Sequence, residues 1–534
     1  MLSKINLPEY QIPSMHNNCQ FRPEPVDVNT VILVIRNLNN TRSTGSDNIS
    51  LKYIKDGLLI IAFYLTCIVN TSLVTGIIPN VWKHALVTPL HKKGDVNDVN
   101  NYRPISKLPI MSKILEKIVA TQLINYLESN NLLSTSQHGF RPKLSTETAL
   151  STITDTLYDN MDNRKISLLT LCDLSKAFDS VKHEFIIKKC NALGISSFWF
   201  EDYLSNRSQS VQLDRYISDK EFLSFGVPQG CNLGPILFNI YVNDFRNNVG
   251  DGLFIQYADD TQFLHSDALA NIDGIINKTE ASLQETQNYF LRNGLMLNAG
   301  KTECIFIGNQ QLLSKIPDGT VIKLNGKTIN PSDTVKNLGL HMDCLMNFDH
   351  HISEIYKKVM GILIYISRIS SHMDKSSRII AVQSLALSVM YYCIMIWGTT
   401  YNTHKIKIQR LQNFAARVAI GGIRKYDHVS PAFDELKWLK VNQKHKFIVL
   451  FYIYKALNNF YPEWFNDLKK VKDVTRGNTR QENNLYVARY KTNTGARSLK
   501  ILGPMLWNEL PPSLTNTTSL PEFKRNLATH ISKN

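Results

Sequence analysis

Apolar residues recur at helical spacing through the first part of the chain and cluster into short strand-length runs further along. VNTVILVIRNLNN (28–40) has the spacing of a short helix, and STGSDNIS (43–50) is a polar loop ending in helix-start residues. Helical spacing resumes over 51–75. Its core, GLLIIAFYLTCIV (57–69), is the longest apolar run, shorter than the roughly 18 to 20 residues a membrane span needs, and reads as a buried helix. GIIPNVWKHALVTPLHKKGD (76–95) gives a turn, a strand through Ala85 to Leu90 and a charged tip. A long helix is expected over 111–129, with Ile114, Leu115, Ile118, Leu123 and Leu127 on one face, and another over 146–163.

KISLLTLCDL (165–174) is a continuous apolar strand that ends on an acid. A helix at 181–193 follows, then SVQLD and FLSFGVPQG as strand-like pieces, then a helix from Gly234 to Phe245. GLFIQYADDTQFLH (252–265) carries two short strand patterns across a tight Ala-Asp-Asp turn, a hairpin signal. Beyond it come a helix over 268–293, a strand at 303–308 and a small β unit to Leu340; after Asp343 the pattern is helical almost throughout. This order gives an α+β body with a helical appendage.

Charge changes the picture only at one end. The formal net charge is +15, yet residues 1–400 carry 37 Lys and Arg against 36 acids, while 401–534 carry 23 against 9. A basic block on a balanced body is an electrostatic footprint for phosphate backbones. The eight cysteines are scattered singly, with no CxxC pair, which points to a reducing compartment. Residues 1–25 are polar, proline-containing and without period, a loose lead-in lacking a signal-type apolar core. His341, His350, His351 and Cys344 fit no closed zinc spacing.

Asp173 ends a buried strand, and Asp259 and Asp260 occupy a hairpin tip. If the two elements are neighbours in one sheet, three carboxylates converge, which is costly unless a cation neutralises them. Mg²⁺ takes a few carboxylate oxygens plus water and phosphates. Two such ions about 3.5 to 4 Å apart clamp the attacking and leaving oxygens of a phosphoryl transfer. For the acid pair alone, an ordinary turn remains the competing explanation.

The company of that pair is more specific. YADD (257–260), LCDLSKAFDSV (171–181) and GVPQGCNLGPILFNIYVNDF (226–245), in this order and spacing, resemble the reverse transcriptases of non-LTR retrotransposons of the jockey type. NYRPISKLPIMSKILEKI (101–118), QHGFRPKLSTETAL (137–150), LNAGKTECIFIG (297–308) and VKNLGLHMD (335–343) are similar to further pieces of that family. The resemblance implies a right-hand polymerase fold with fingers, ferredoxin-like palm and helical thumb, followed by a mostly helical basic C-terminal region. Its divisions fall at 26–343 (reverse transcriptase domain proper about 73–343), 344–400 for the thumb and 401–534 for the basic region.

Carried over residue by residue, the resemblance makes Asp173, Asp259 and Asp260 catalytic, holding two Mg²⁺ ions (or Mn²⁺) with help from the Leu174 carbonyl, and makes Lys301 the group that protonates pyrophosphate. Lys92, Arg103, Leu174, Phe178 and Gln229 would bind the nucleotide, and Arg141 and Gly230 the template and primer. Phe178 would be the flat gate that leaves room for a 2′-hydrogen and not for a 2′-hydroxyl. Lys92 and Lys93 compete for one role, and Asp179 raises the alternative of ribonucleotide use, against which AFD and YADD speak.

The expected activity is RNA-directed DNA synthesis on an RNA template from a DNA primer with dNTPs, in the nucleus or cytoplasm and without a membrane. The family's nicking endonuclease normally precedes the polymerase; the chain starts near the pre-finger segment, so an endonuclease in trans is an expected partner. A catalytically inactive nucleic-acid-binding remnant and a maturase-like RNA-binding protein are the alternatives.

Overall fold

A computed structural model describes residues 20–40, 43–424, 426–462, 468–474 and 482–533. Of the lead-in expected over 1–25, residues 1–19 lie outside the described residues; Phe21 is buried and bridges Ile195. The chain divides into two compact units, one of Met1–Arg141, Cys172–Thr261 and Ala281–Lys301, the other of Pro142–Leu171, Gln262–Glu280 and Thr302–Asn534. All the candidate site residues fall in the first.

Helices Val28–Asn37, Leu51–Asp56 and Leu58–Thr75 open the described chain, the last two separated at Gly57. Asp27 caps the first, its carboxylate accepting from the Thr30 N–H at 2.7 Å. The helix expected to be buried through 57–69 is buried on one face only: Leu58, Ala62, Leu65, Val69 and Leu73 face the interior, while Leu59, Ile60, Phe63 and Tyr64 are exposed. An all-round apolar pattern signals full burial, and here the fold supplies cover for one side.

Strands β1 (His84–His91) and β2 (Tyr102–Lys107) form an antiparallel pair across a charged tip. Helices Ile110–Ser129 and Thr146–Asp162 follow, then β3 (Ile166–Cys172) and β4 (Leu174–Ser175). After helices His183–Ala192 and Ser197–Leu204 come β5 (Ser208–Leu213), β6 (Tyr216–Ile217) and β7 (Glu221–Phe222). The strand expected in FLSFGVPQG is confined to Phe222, because Gly226 and Gly230 take positive φ of 83° and 110° and turn the chain into a loop. β5 runs parallel to β1, giving the order β2-β1-β5-β6 with β7 also on β5.

Helix Gly234–Tyr241 stops short of the expected Phe245, which begins a separate 3₁₀ turn. The hairpin signal is realised as β8 (Leu253–Tyr257) and β9 (Asp260–Asp267), followed by helix Ile272–Arg292, β10 (Met296–Leu297) and β11 (Glu303–Ile307). The main sheet has the order β11-β3-β9-β8. Six of the seven β3 residues are buried, which is why its sequence is continuously apolar and does not alternate. The second unit continues through two short hairpins to Asp343 and is then helical, with long helices at Asp349–Ile369, Asn402–Ile420 and Val441–Leu457.

The first unit's core contains buried ionisable side chains with hydrogen-bond partners. Lys189, almost fully buried, donates to Asp244 at 2.9 Å and to the Asn293 side chain at 2.8 Å. Glu116, also buried, accepts from the Tyr203 hydroxyl and the Asn232 N–H, each at 2.9 Å. Satisfying these groups is what makes their burial tolerable.

Candidate active site

The tip that carries the two acids is held in an unusual backbone shape. Ala258 has φ of 58°, in the left-handed region that a side chain disfavours, so the turn needs outside support. Gln137 supplies it: its Oε1 accepts from the Ala258 N–H at 3.0 Å and its Nε2 donates to the Ala258 carbonyl at 3.2 Å. The same Oε1 accepts from the Gly139 N–H at 2.8 Å. Backbone bonds from His138 to Gln256 and from Gln256 to Ser136, 2.8 and 2.7 Å, run the QHG segment alongside β8. A Cβ on Gly139 would lie 2.3 Å from the Ala258 nitrogen, so only glycine permits this approach.

Asp173 follows β3 directly. Its carbonyl accepts from the Asn298 N–H at 2.9 Å, and β4 just beyond pairs with β10, so the 297–301 turn is laid against the strand end. Lys301 thereby reaches the Asp173 carboxylate at 2.9 Å, on the solvent side.

The acids press on one another. Loss of hydration pushes the Asp259 carboxyl above its usual range and the charge of Asp173 adds to it, while Asp259's own backbone N–H, Arg103 and Lys92 pull it back. For Asp260, loss of hydration comes first and repulsion from Asp259 and Asp173 next; its carboxyl is pushed up to about 6. Arg103 is exposed on β2 opposite Leu90 of β1, and Lys92 follows β1 with its N–H bonded to the Asn101 carbonyl at 2.8 Å. Between Lys92 and Lys93, it is Lys92 whose charge is felt at Asp259 and Asp179.

GVPQG is strapped to the AFDS turn. Gly226 and Val227 donate to the carbonyls of Val181 and Phe178 at 2.7 and 2.9 Å, and a Cβ at Gly226 would meet the Asp179 carbonyl oxygen at 2.9 Å. Gln229 donates from Nε2 to the Asp179 carboxylate at 2.9 Å, and its own carbonyl accepts from Ser106 at 2.8 Å. Burial raises the Asp179 carboxyl, partly offset by the Gln229 bond and then by Lys176 and Lys92. Phe178 stacks on Phe238, rings 4.6 Å apart and 25° from parallel, and meets Phe140 edge-on at 6.2 Å. Gly230 sits with its Cα side against the Ser106 carbonyl.

One expectation needs correction. Arg141 is buried and does not face a template: its guanidinium is taken by Glu128 through two 2.8 Å bonds and by the Ser134 carbonyl at 2.7 Å, fixing the loop that ends in QHGFR. The three acids feel one another's charge, and among the described residues no three or more His, Cys, Asp or Glu side chains are already drawn together around one metal position. Lys301 is the ion-pair partner of Asp173. The donor set still suits Mg²⁺, which takes one or two carboxylates and completes its shell with water and substrate phosphates. Mutual repulsion of Asp173, Asp259 and Asp260 is what such an ion would relieve.

Sequence reasoning passed over Gln137 and Gly139 as site residues. QHGF shows a polar residue and a glycine, yet nothing in that local pattern says that Gln137 meets a turn 121 residues away.

Comparison with known proteins shows what this arrangement resembles. Residues 90–342 match the reverse transcriptase (RNA-dependent DNA polymerase) family. The chain is 27% identical over 413 residues to the RNA-directed DNA polymerase from mobile element jockey of Drosophila melanogaster, covering 74% of this chain and 44% of that protein. It is 27% identical over 414 residues to the probable RNA-directed DNA polymerase from transposon BS of the same species, with the same coverage. The jockey polymerase of Drosophila funebris is 26% identical over 446 residues, 79% of this chain and 46% of that one. The chain thus spans less than half the length of these relatives. Among solved structures, apo telomerase from Candida Tropicalis aligns with 51% of this chain and 55% of its own, at 13% identity and a TM-score of 0.34. Residues 90–342 thus resemble a reverse transcriptase domain, and the chain is similar over about three quarters of its length to the RNA-directed DNA polymerases of jockey-type mobile elements.

Proposed function

We propose that this chain is an RNA-directed DNA polymerase that extends a primer 3′-hydroxyl with dNTPs on an RNA template, within a right-hand arrangement of fingers, palm and thumb. The observation that carries the reading is the electrostatic cluster of Asp173, Asp259 and Asp260 ringed by Lys92, Arg103 and Lys301. Acids alone would repel a triphosphate, and cations alone would bind it without acting on it. Divalent ions held by the three carboxylates and the Leu174 carbonyl would supply activation of the 3′-hydroxyl and charge neutralisation at the α-phosphate.

The remaining work falls to this chain's own groups. Arg103, with its forked guanidinium, and Lys92, as a point charge, bind the phosphates from the β1–β2 side. Phe178, immobilised by Phe238, presents a flat surface to the sugar and excludes a 2′-hydroxyl. Asp179, engaged by Gln229, is held away from the role of ribose acceptor, which favours deoxynucleotides. Lys301 exchanges Asp173 for the leaving pyrophosphate and gives it a proton. Gly230 allows the backbone to approach the template, and the basic region 401–534 holds template RNA.

Primer extension on poly(rA)/oligo(dT) with Mg²⁺ tests this. Asp259→Asn is expected to lower kcat at least about 100-fold with primer-template affinity retained. Wild-type protein that binds primer-template and extends nothing would instead identify a binding remnant.

A further inference from the structure

The outward face of helix Leu58–Thr75 is unlike the rest of the surface. Leu59, Ile60, Phe63, Tyr64, Ile68 and Val74 all point to solvent, Leu59 at 83% and Phe63 at 60% exposure. Cys67, Thr71 and Thr75 complete the stripe. No charged residue occurs from Gly57 to Trp82. The polar side chains are turned back on the protein: Asn70 makes two 2.9 Å bonds with the Val26 backbone, and the Thr71 and Thr75 hydroxyls donate to the Cys67 and Thr71 carbonyls at 2.8 and 2.7 Å. The six large side chains together expose roughly 800 Å², above the 300 to 600 Å² of the largest patch on a typical monomer and equal to one partner's share of a standard interface.

Bulk is distributed unevenly along the stripe. Its N-terminal half carries Leu59, Ile60, Phe63 and Tyr64; beyond Cys67 come Ile68 and then the smaller Thr71, Val74 and Thr75. Two copies packed in the same direction would set large against large and small against small. Packed antiparallel about a two-fold axis at Cys67, Leu59 meets the partner's Thr75, Ile60 the partner's Val74 and Phe63 the partner's Thr71, so bulk fills space in both halves. A closed two-fold interface is self-complementary in this way, and interdigitated side chains of unequal size are how helix surfaces mesh. A lipid surface fits less well, since helices that lie on membranes carry Lys and Arg along the polar face, whereas the inner face here is packed on the protein's own core.

We propose that this face is a homodimer interface, formed by antiparallel pairing of helix Leu58–Thr75 with its copy. Sedimentation of the full chain at tens of micromolar is expected to give twice 60.9 kDa, and Phe63→Glu is expected to give 60.9 kDa with an unchanged circular-dichroism spectrum, because the replaced ring faces solvent in the single chain. Orientation is read by mild oxidation in a Cys67→Ser background. Phe63→Cys together with Thr71→Cys is expected to yield a covalent dimer at least tenfold more efficiently than either substitution alone. A monomeric wild type, a dimer that survives Phe63→Glu, or single cysteines that cross-link as well as the pair would each overturn the proposal. So would a wild-type monomer that sediments with phosphatidylcholine vesicles. None of these readouts depends on polymerase activity, so the dimer and the enzymatic reading fail or stand separately.

Discussion

Asp260 shows what the site costs the fold. Its carboxyl titrates near 6 in the folded chain against 3.8 for a free side chain. An acid whose folded value is raised favours the fold while protonated, so its contribution is fully present below about pH 4 and is lost as pH rises through about 6. Removing the charge therefore matters most at neutral pH. Asp260→Asn is expected to melt above wild type at pH 7.5, with the gap shrinking at pH 5, when both are measured without divalent ions. Adding Mg²⁺ is expected to raise the wild-type melting temperature more than that of the variant, because the variant has less repulsion to relieve. A variant that melts below wild type at pH 7.5 would mean that Asp260 is held by favourable contacts and not tolerated against repulsion. The residue scale also explains why Lys301 was legible only as a motif match: its sequence neighbours give a solvated turn, and its pairing with Asp173 depends on β10 lying beside β4.

At the scale of elements, the hairpin tip works only because a second segment braces it. Gln137→Ala would leave the N–H and carbonyl of Ala258 buried and unpaired, each at a cost of about 1 to 3 kcal/mol. The tip would relax away from its positive φ. Since the tip carries acids and not substrate-binding cations, kcat is expected to fall about 10- to 100-fold with the KM for dNTP changed much less. Gly139→Ala, whose Cβ has only backbone to push against, is expected to do the same more severely. A KM effect as large as the kcat effect would remove the brace from the acids' positioning. Steady-state extension kinetics separate the two.

What the sequence made readable follows the same division. Strands β3, β8 and β9, the long helices and the acids at strand ends are announced by local periodicity and by apolar runs with abrupt polar ends. Arg141 reads as a surface cation because its partner, Glu128, lies on the preceding helix and pairs with it only after the 130–140 loop folds back. The helix at 58–75 reads as buried because composition records hydrophobicity and not how many sides the fold covers. The missing information in each case is a contact distant along the chain.

Over the whole molecule, the excess positive charge lies in 401–534, which invites removal of that region to test whether it holds RNA. The second unit argues against such a deletion. Asp162, on helix Thr146–Asp162, accepts from the Lys491 and Thr492 N–H groups at 2.9 and 2.7 Å and from the Thr492 hydroxyl at 2.7 Å. Asp155, two turns earlier on the same helical face and buried, accepts from the Ser498 hydroxyl and the Leu499 N–H at 2.9 and 2.7 Å. A chain ending at 400 would strand both carboxylates, so lost binding would report lost folding. Point neutralisation avoids this. Arg410, Arg424 and Lys437 are exposed in the basic region, and each phosphate contact made to a single strand contributes about 0.7 to the slope of log K against log salt. If all three touch template RNA, replacing them with Gln is expected to flatten that slope by about 2, with the melting temperature unchanged. A slope equal to that of wild type would move the RNA contact off this surface and onto the reverse transcriptase domain.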